Sequence, residues 1–110
     1  MESKDPYYFT HTVFFWMNEP ENEEHKKQLK EGLIQLVANS QYSKMGHVGV
    51  PAGTDRPVVD NSYNFSLLVT FETSEDQDKY QVEPAHLGFI DSCKHIWSKV
   101  QIYDSVSVSK

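Results

Sequence analysis

Two side chains able to move a proton near neutral pH flank a proline in the segment KYQVEPAHLGFI, Lys79 to Ile90: Tyr80 ahead of Pro84 and His86 just behind it. An imidazole can remove a proton next to a carbonyl, and a phenol can donate to the oxyanion that forms. The pair therefore holds the elements of enolisation or aldol chemistry. Proline lacks an amide hydrogen and drives Glu83 out of the helical region, so a helix carrying Tyr80 breaks here and restarts with His86 in its first turn. At that position the positive end of the helix dipole disfavours the imidazolium and keeps the proton-accepting form available. Helical spacing groups His86 with Phe89, Ile90, Cys93 and Trp97 on one apolar side. The same spacing also fits a core histidine hydrogen-bonded to its neighbours. His86 and Tyr80 are the candidate catalytic pair, and Phe89, Ile90 and Trp97 are candidate pocket walls.

The elements that must position this pair follow from periodicity. Tyr7 to Met17, YYFTHTVFFWM, is a strand by its aromatic and β-branched content. Alternation puts Tyr7, Phe9, His11, Val13, Phe15 and Met17 on one side and Tyr8, Thr10, Thr12, Phe14 and Trp16 on the other. His11 becomes a candidate proton relay behind the catalytic pair, with Val13 beside it. Both sides are apolar; helices can cover one, and a second copy of the chain is the cover expected for the other. Asn18 reads as an N-cap with Pro20 in the first turn of a helix beginning near residue 19. Its apolar stripe is Leu29, Leu33, Leu36 and Val37, and it ends around Asn39 to Gln41.

Lys44 to Val50 is a short strand and Pro51 to Ser62 a long turn-rich loop. That loop holds Arg56, the only arginine, which is either an anion contact at the pocket mouth or a partner of Asp55 or Asp60. Tyr63 to Glu72 alternates as a central strand, and Ser74 with Gln77 forms a capping-box pattern that opens the helix of Tyr80. Val100 to Val108 closes the chain, with Val100, Ile102, Val106 and Val108 in phase and Asp104 interrupting them. The resulting βαββαβ order predicts an α+β, ferredoxin-like fold: a four-stranded antiparallel sheet with helices on one face, pairing through the other into a dimeric α/β barrel.

Composition narrows the partners. A chain of 110 residues reads as one domain over 1–110, with 1–6 as a flexible tail. Ten basic against 16 acidic residues give a net charge of -6, without the basic stripe that nucleic acid requires. The longest apolar run, Val13 to Met17, falls far short of the roughly 20 residues that cross a bilayer. The single cysteine, Cys93, reads as an inert buried thiol, and a cytoplasmic location is expected. His11, His47 and His86 lack the spacing of a metal site, so no metal or other cofactor is expected.

Taken together, HTVFFW, VTFE, YQVEPAH and IWSKVQIYDS resemble the stress-responsive dimeric α/β-barrel (Dabb) family from about His11 to Asp104. The resemblance implies the ferredoxin-like dimer. Within the family, the branch of olivetolic acid cyclase-like polyketide cyclases implies cofactor-independent aldol closure of a linear polyketide. Its histidine and tyrosine correspond to His86 and Tyr80, and its strand histidine to His11. The chain departs from that branch at Glu83, where a further histidine is usual, and at Gly32, Leu33 and Ile34, where a pocket tyrosine goes unmatched. Two functional readings follow: a cofactor-independent enzyme acting on a small hydrophobic carbonyl compound, or a non-catalytic stress-responsive homodimer that binds a ligand or serves structure alone. An interior cavity bordered by His86, Tyr80 and His11 separates the first from the second.

Overall fold

The computed structural model describes residues 5–109. The chain runs β1 (Phe9–Met17), α1 (Glu23–Asn39), β2 (Gly46–Gly49), β3 (Phe65–Phe71), α2 (Ser74–Val82), α3 (Pro84–Cys93) and β4 (Trp97–Val106), with a 3₁₀ turn over Lys94–Ile96. The sheet order is β2-β3-β1-β4, and each neighbouring pair is antiparallel. This is the expected ferredoxin-like architecture, with its second helix divided at the proline into α2 and α3.

The alternation read in β1 sets the layers. His11, Val13, Phe15 and Met17 are buried, as are Phe65, Leu67, Val69 and Phe71 of β3. Leu29, Leu33 and Leu36 of α1 come down on this face, joined by Phe89 and Cys93 of α3. The opposite face carries Phe14 and Trp16, with Phe14 packed against Tyr63 (ring centroids 4.8 Å apart) and Tyr103 (6.2 Å). It is the uncovered apolar face that β1 leads one to expect.

Local boundaries differ from the sequence reading in three places. Helix α1 begins at Glu23, not near residue 19, because the cap is Asn22, whose side chain accepts from the His25 amide. Asn18 instead donates to the His95 carbonyl and ties the end of β1 to the turn before β4. The cap of α2 is Thr73, which accepts from the Asp76 amide, so the box read at Ser74 is one residue out of phase. Finally, Trp97 does not continue α3: it opens β4, where a register shift at Trp16/Met17 leaves Ser98 out of the pairing. A bulge of this kind re-aims the strand, and it turns Trp97 under the helices, its ring centroid 5.1 Å from that of Phe15 and 5.6 Å from that of Phe89.

Of the expected tail, residues 1–4 lie outside the described residues. Asp5 closes a turn, its side chain accepting from the Tyr7 amide and its carbonyl from the Tyr8 amide.

Candidate functional site

The site is built on the break between α2 and α3. Pro84 requires an extended residue before it, and Glu83 obliges with φ -72° and ψ 152°, serving as C-cap of α2 and N-cap of α3 at once. Its carbonyl accepts from the amides of His86 and Leu87. Its carboxylate turns inward, 5 % exposed, and accepts from Ser40 Oγ at 2.6 Å and the Gln41 amide at 2.8 Å. The break is thereby fastened to the end of α1. Hydrogen bonds to a buried charge are worth about 1.5–3 kcal/mol each, so Glu83→Ala should lower the unfolding free energy by about 3 kcal/mol in urea titrations. Glu83→Gln, which keeps an acceptor for one of the two donors, should lose less.

Held this way, the Tyr80 and His86 rings meet at a tilt of 43°, their centroids 4.8 Å apart. His11 approaches Tyr80 from β1 at 5.8 Å, and Phe71 backs it at 5.2 Å. The rings border a cavity of about 230 Å³ between the sheet and α3, whose walls include His11, Val13, Tyr80, His86, Phe89, Ile90 and Trp97. All the residues expected to form a pocket around the pair thus meet there. Arg56 does not line this cavity; it is exposed in the loop between β2 and β3, its carbonyl accepting from Val59 in a turn. His47 pairs with Leu68 on the opposite face of the sheet, and among the described residues no three His, Cys, Asp or Glu side chains cluster to hold a metal. Cys93 is buried, and burial pushes its thiol pKa up, away from the nucleophilic thiolate.

Hydrogen bonding assigns the polar atoms. His86 Nδ1 lies 3.1 Å from the Gln81 carbonyl, which can only accept, so Nδ1 carries the proton and Nε2 is left as a base. Burial lowers the His86 pKa below its ordinary value; His11 pushes the same way, while the Gln81 carbonyl and Glu83 oppose it. The Tyr80 hydroxyl is fully buried, without a hydrogen-bond partner among the described residues. Burial first, then the Glu83 charge, raises its pKa well above the ordinary phenol value, so it stays protonated as a donor. His11 Nδ1 lies 2.5 Å from Asp104 Oδ1, a carboxylate, which fixes the proton on Nδ1 here too.

Sequence reasoning missed Asp104 and the structural part of Glu83. The signal for Asp104 was its interruption of the apolar phase of the last strand; β1–β4 register puts it opposite His11.

Comparison with known proteins agrees with this architecture. The model of the Stress responsive A/B Barrel Domain (Dabb) matches residues 9–107. The chain belongs to the Dabb family. Among curated proteins, olivetolic acid cyclase from Cannabis sativa is 38% identical over 45 residues, covering 41% of this Dabb chain and 45% of the cyclase. The chain thus matches under half the length of that relative. Among solved structures, a hydroxynitrile lyase from Passiflora edulis superposes with a TM-score of 0.76 at 16% identity, covering 96% of this chain and 98% of the lyase. A dimeric ferredoxin-like protein of unknown function from Thermobifida fusca gives 0.74 at 15% identity, covering 96% and 100%. At these identities the structures establish the fold. Among the described residues no helix is long and apolar enough to cross a membrane.

Proposed function

We propose that this Dabb protein is a cytoplasmic homodimer that binds a small hydrophobic carbonyl compound and acts on it, without cofactor, by His86/Tyr80 acid–base chemistry. The observation that carries this reading is the Tyr80 hydroxyl, fully buried on the cavity wall with no hydrogen-bond partner among the described residues. An unsatisfied buried polar group costs about 1–3 kcal/mol, and a ligand oxygen in the cavity would satisfy it. His86 Nε2, left free by the Gln81 bond, takes the proton from the carbon beside the ligand carbonyl. The electron pair released moves into the enolate, whose oxygen receives the Tyr80 hydrogen bond. The enolate carbon then attacks a second carbonyl or takes the proton back. The apolar walls of Val13, Phe89, Ile90 and Trp97 keep the enolate from water. An enzyme name on two relatives of small-molecule type supports the reading, as does the dimeric description of the Thermobifida structure.

The proton-transfer half can be tested without knowing the natural ligand. Deuterium incorporation beside the carbonyl of a simple aryl ketone, followed by NMR, reads enolisation directly. Because the base must be neutral and its pKa lies below 6.5, the rate should stay level as pH falls to that value and drop only beneath it. A limb centred above 6.5, or no exchange beyond buffer, would sink the assignment of His86 as base.

A further inference from the structure

The break between α2 and α3 does more than divide a helix, because it frees a carbonyl. In an unbroken helix the Gln81 carbonyl would accept from the amide four residues on, that of Ala85. With Glu83 extended at φ -72° and ψ 152°, the Gln81 carbonyl instead lies 3.1 Å from His86 Nδ1. The aim of the imidazole therefore depends on the backbone at Glu83. Proline keeps that residue out of the helical region, yet the extended region left to it is broad and does not by itself fix the direction of α3. The Glu83 carboxylate supplies the rest. Ser40, the C-cap of α1, donates its hydroxyl to one carboxylate oxygen at 2.6 Å, and the same hydroxyl accepts from the Ser43 amide at 3.2 Å. The Gln41 amide donates to the other carboxylate oxygen at 2.8 Å. Just past Ser43, the amides of Lys44 and Met45 donate to the carbonyl and the hydroxyl of Thr70 on β3, at 2.8 and 3.1 Å. Hydrogen bonds thus tie β3, by way of the turn after α1, to the residue that aims His86.

We infer that Glu83 is a positioning residue for His86, a role that rests on the assignment of His86 as base: latched to Ser40 and Gln41, its carboxylate holds the break at the angle that gives His86 Nδ1–H to Gln81 and leaves Nε2 for proton transfer. A fastening alone does not call for a charge. A buried carboxylate costs more to desolvate than an amide or an apolar side chain that would pack in its place. The charge also reaches both rings of the pair. Burial is the first influence on the pKa of each, and the Glu83 charge raises both. On Tyr80 it acts with burial and keeps the phenol a donor; on His86 it acts against burial and keeps the imidazole closer to its ordinary range. The ionisable groups that face His86 are Tyr80 on α2, Glu83 at the break and His11 on β1, the last with Asp104 of β4 behind it. Glu83 alone among them is also bonded to the end of α1, so one side chain sets both the direction and the electrostatics of the base.

The test reads His86 twice in the intact protein: its tautomer by nitrogen-15 NMR at about pH 7.5, and the deuterium exchange of the aryl ketone as a function of pH. Glu83→Gln and Ser40→Ala each delete one bond of the latch and keep the other, so both should fold, and circular dichroism checks this. Asn22→Ala, which removes the cap at the opposite end of α1, controls for lost stability alone. Wild type should show His86 as the Nδ1–H tautomer. Both latch variants should admit the Nε2–H form and lose about tenfold or more in exchange rate, as misplaced groups do, while Asn22→Ala changes neither. The acid limb of the rate should move to lower pH in Glu83→Gln, which removes a charge that raises the His86 pKa, and should stay in place in Ser40→Ala, which keeps that charge. An unchanged His86 tautomer in both latch variants overturns the inference, whatever the exchange rates do. Full exchange in both, or an equal loss in Asn22→Ala, overturns it too. A limb that stays put in Glu83→Gln overturns the part assigned to the charge. The tautomer shift without measurable exchange in wild type overturns the enolisation reading and leaves the aiming of His86 by Glu83 standing.

Discussion

Tyr80→Phe should make the protein more stable and at the same time nearly inactive. The tyrosine ring is 0 % exposed and packs against Phe71, His11 and His86, contacts that phenylalanine preserves. Only the hydroxyl goes, and it is buried without a partner among the described residues. Removing an unsatisfied polar atom recovers its desolvation cost, so the unfolding free energy should rise by about 1 kcal/mol or more. If the hydroxyl stabilises the enolate oxygen, the ketone-exchange rate should fall by about 10²–10³, the usual loss on removing one oxyanion donor. The two signs together are diagnostic. A structural tyrosine whose hydroxyl found a water would show a loss of stability and no special loss of rate; a gain in melting temperature with full exchange activity would show that the hydroxyl is idle.

Much of this site was readable because its central parts lie close in sequence. Tyr80, Pro84 and His86 share one broken helix, and helical phase alone places Phe89 and Ile90 beside them. Strand alternation placed His11 and Val13 on the helix side of β1, and they line the cavity. What was not readable depends on register. Asp104 meets His11 across 93 residues of chain, and no local pattern specifies which residue of β4 lies opposite which residue of β1. Trp97 was assigned to the cavity from the wrong element: helical spacing from His86 reaches it by coincidence, whereas a bulge in β4 puts it there. In the sequence Glu83 reads as the residue before a proline and as a departure from the cyclase branch, and its structural part stays hidden because its partners Ser40 and Gln41 come from just beyond the end of α1. Caps slipped for a different reason. Asn18 and Asn22, like Thr73 and Ser74, are both chemically competent, and the choice falls to tertiary contacts such as the bond from Asn18 to the His95 carbonyl.

The second large effect is expected for His86→Ala, in rate and in the pH dependence of stability together. Loss of a general base should lower ketone exchange by about 10²–10⁴, and because the substitution opens space beside Tyr80, added imidazole should restore part of that rate. The linkage argument gives an independent sign. Burial holds the folded-state pKa of His86 below 6.5, so between that pKa and 6.5 the unfolded chain binds the extra proton. This contribution to stability is complete above 6.5 and is lost as pH falls through the folded pKa. Alanine has no such proton, so the destabilisation caused by His86→Ala, measured in urea, should be greater at pH 7.5 than at about pH 5. A histidine that was charged in the folded state and paired with Glu83 would give the reverse order. Glu83 is placed to raise the His86 pKa, but its carboxylate is already engaged by Ser40 and Gln41, and burial is the larger influence. The neutral imidazole that stability should report is the same species that the proton transfer requires.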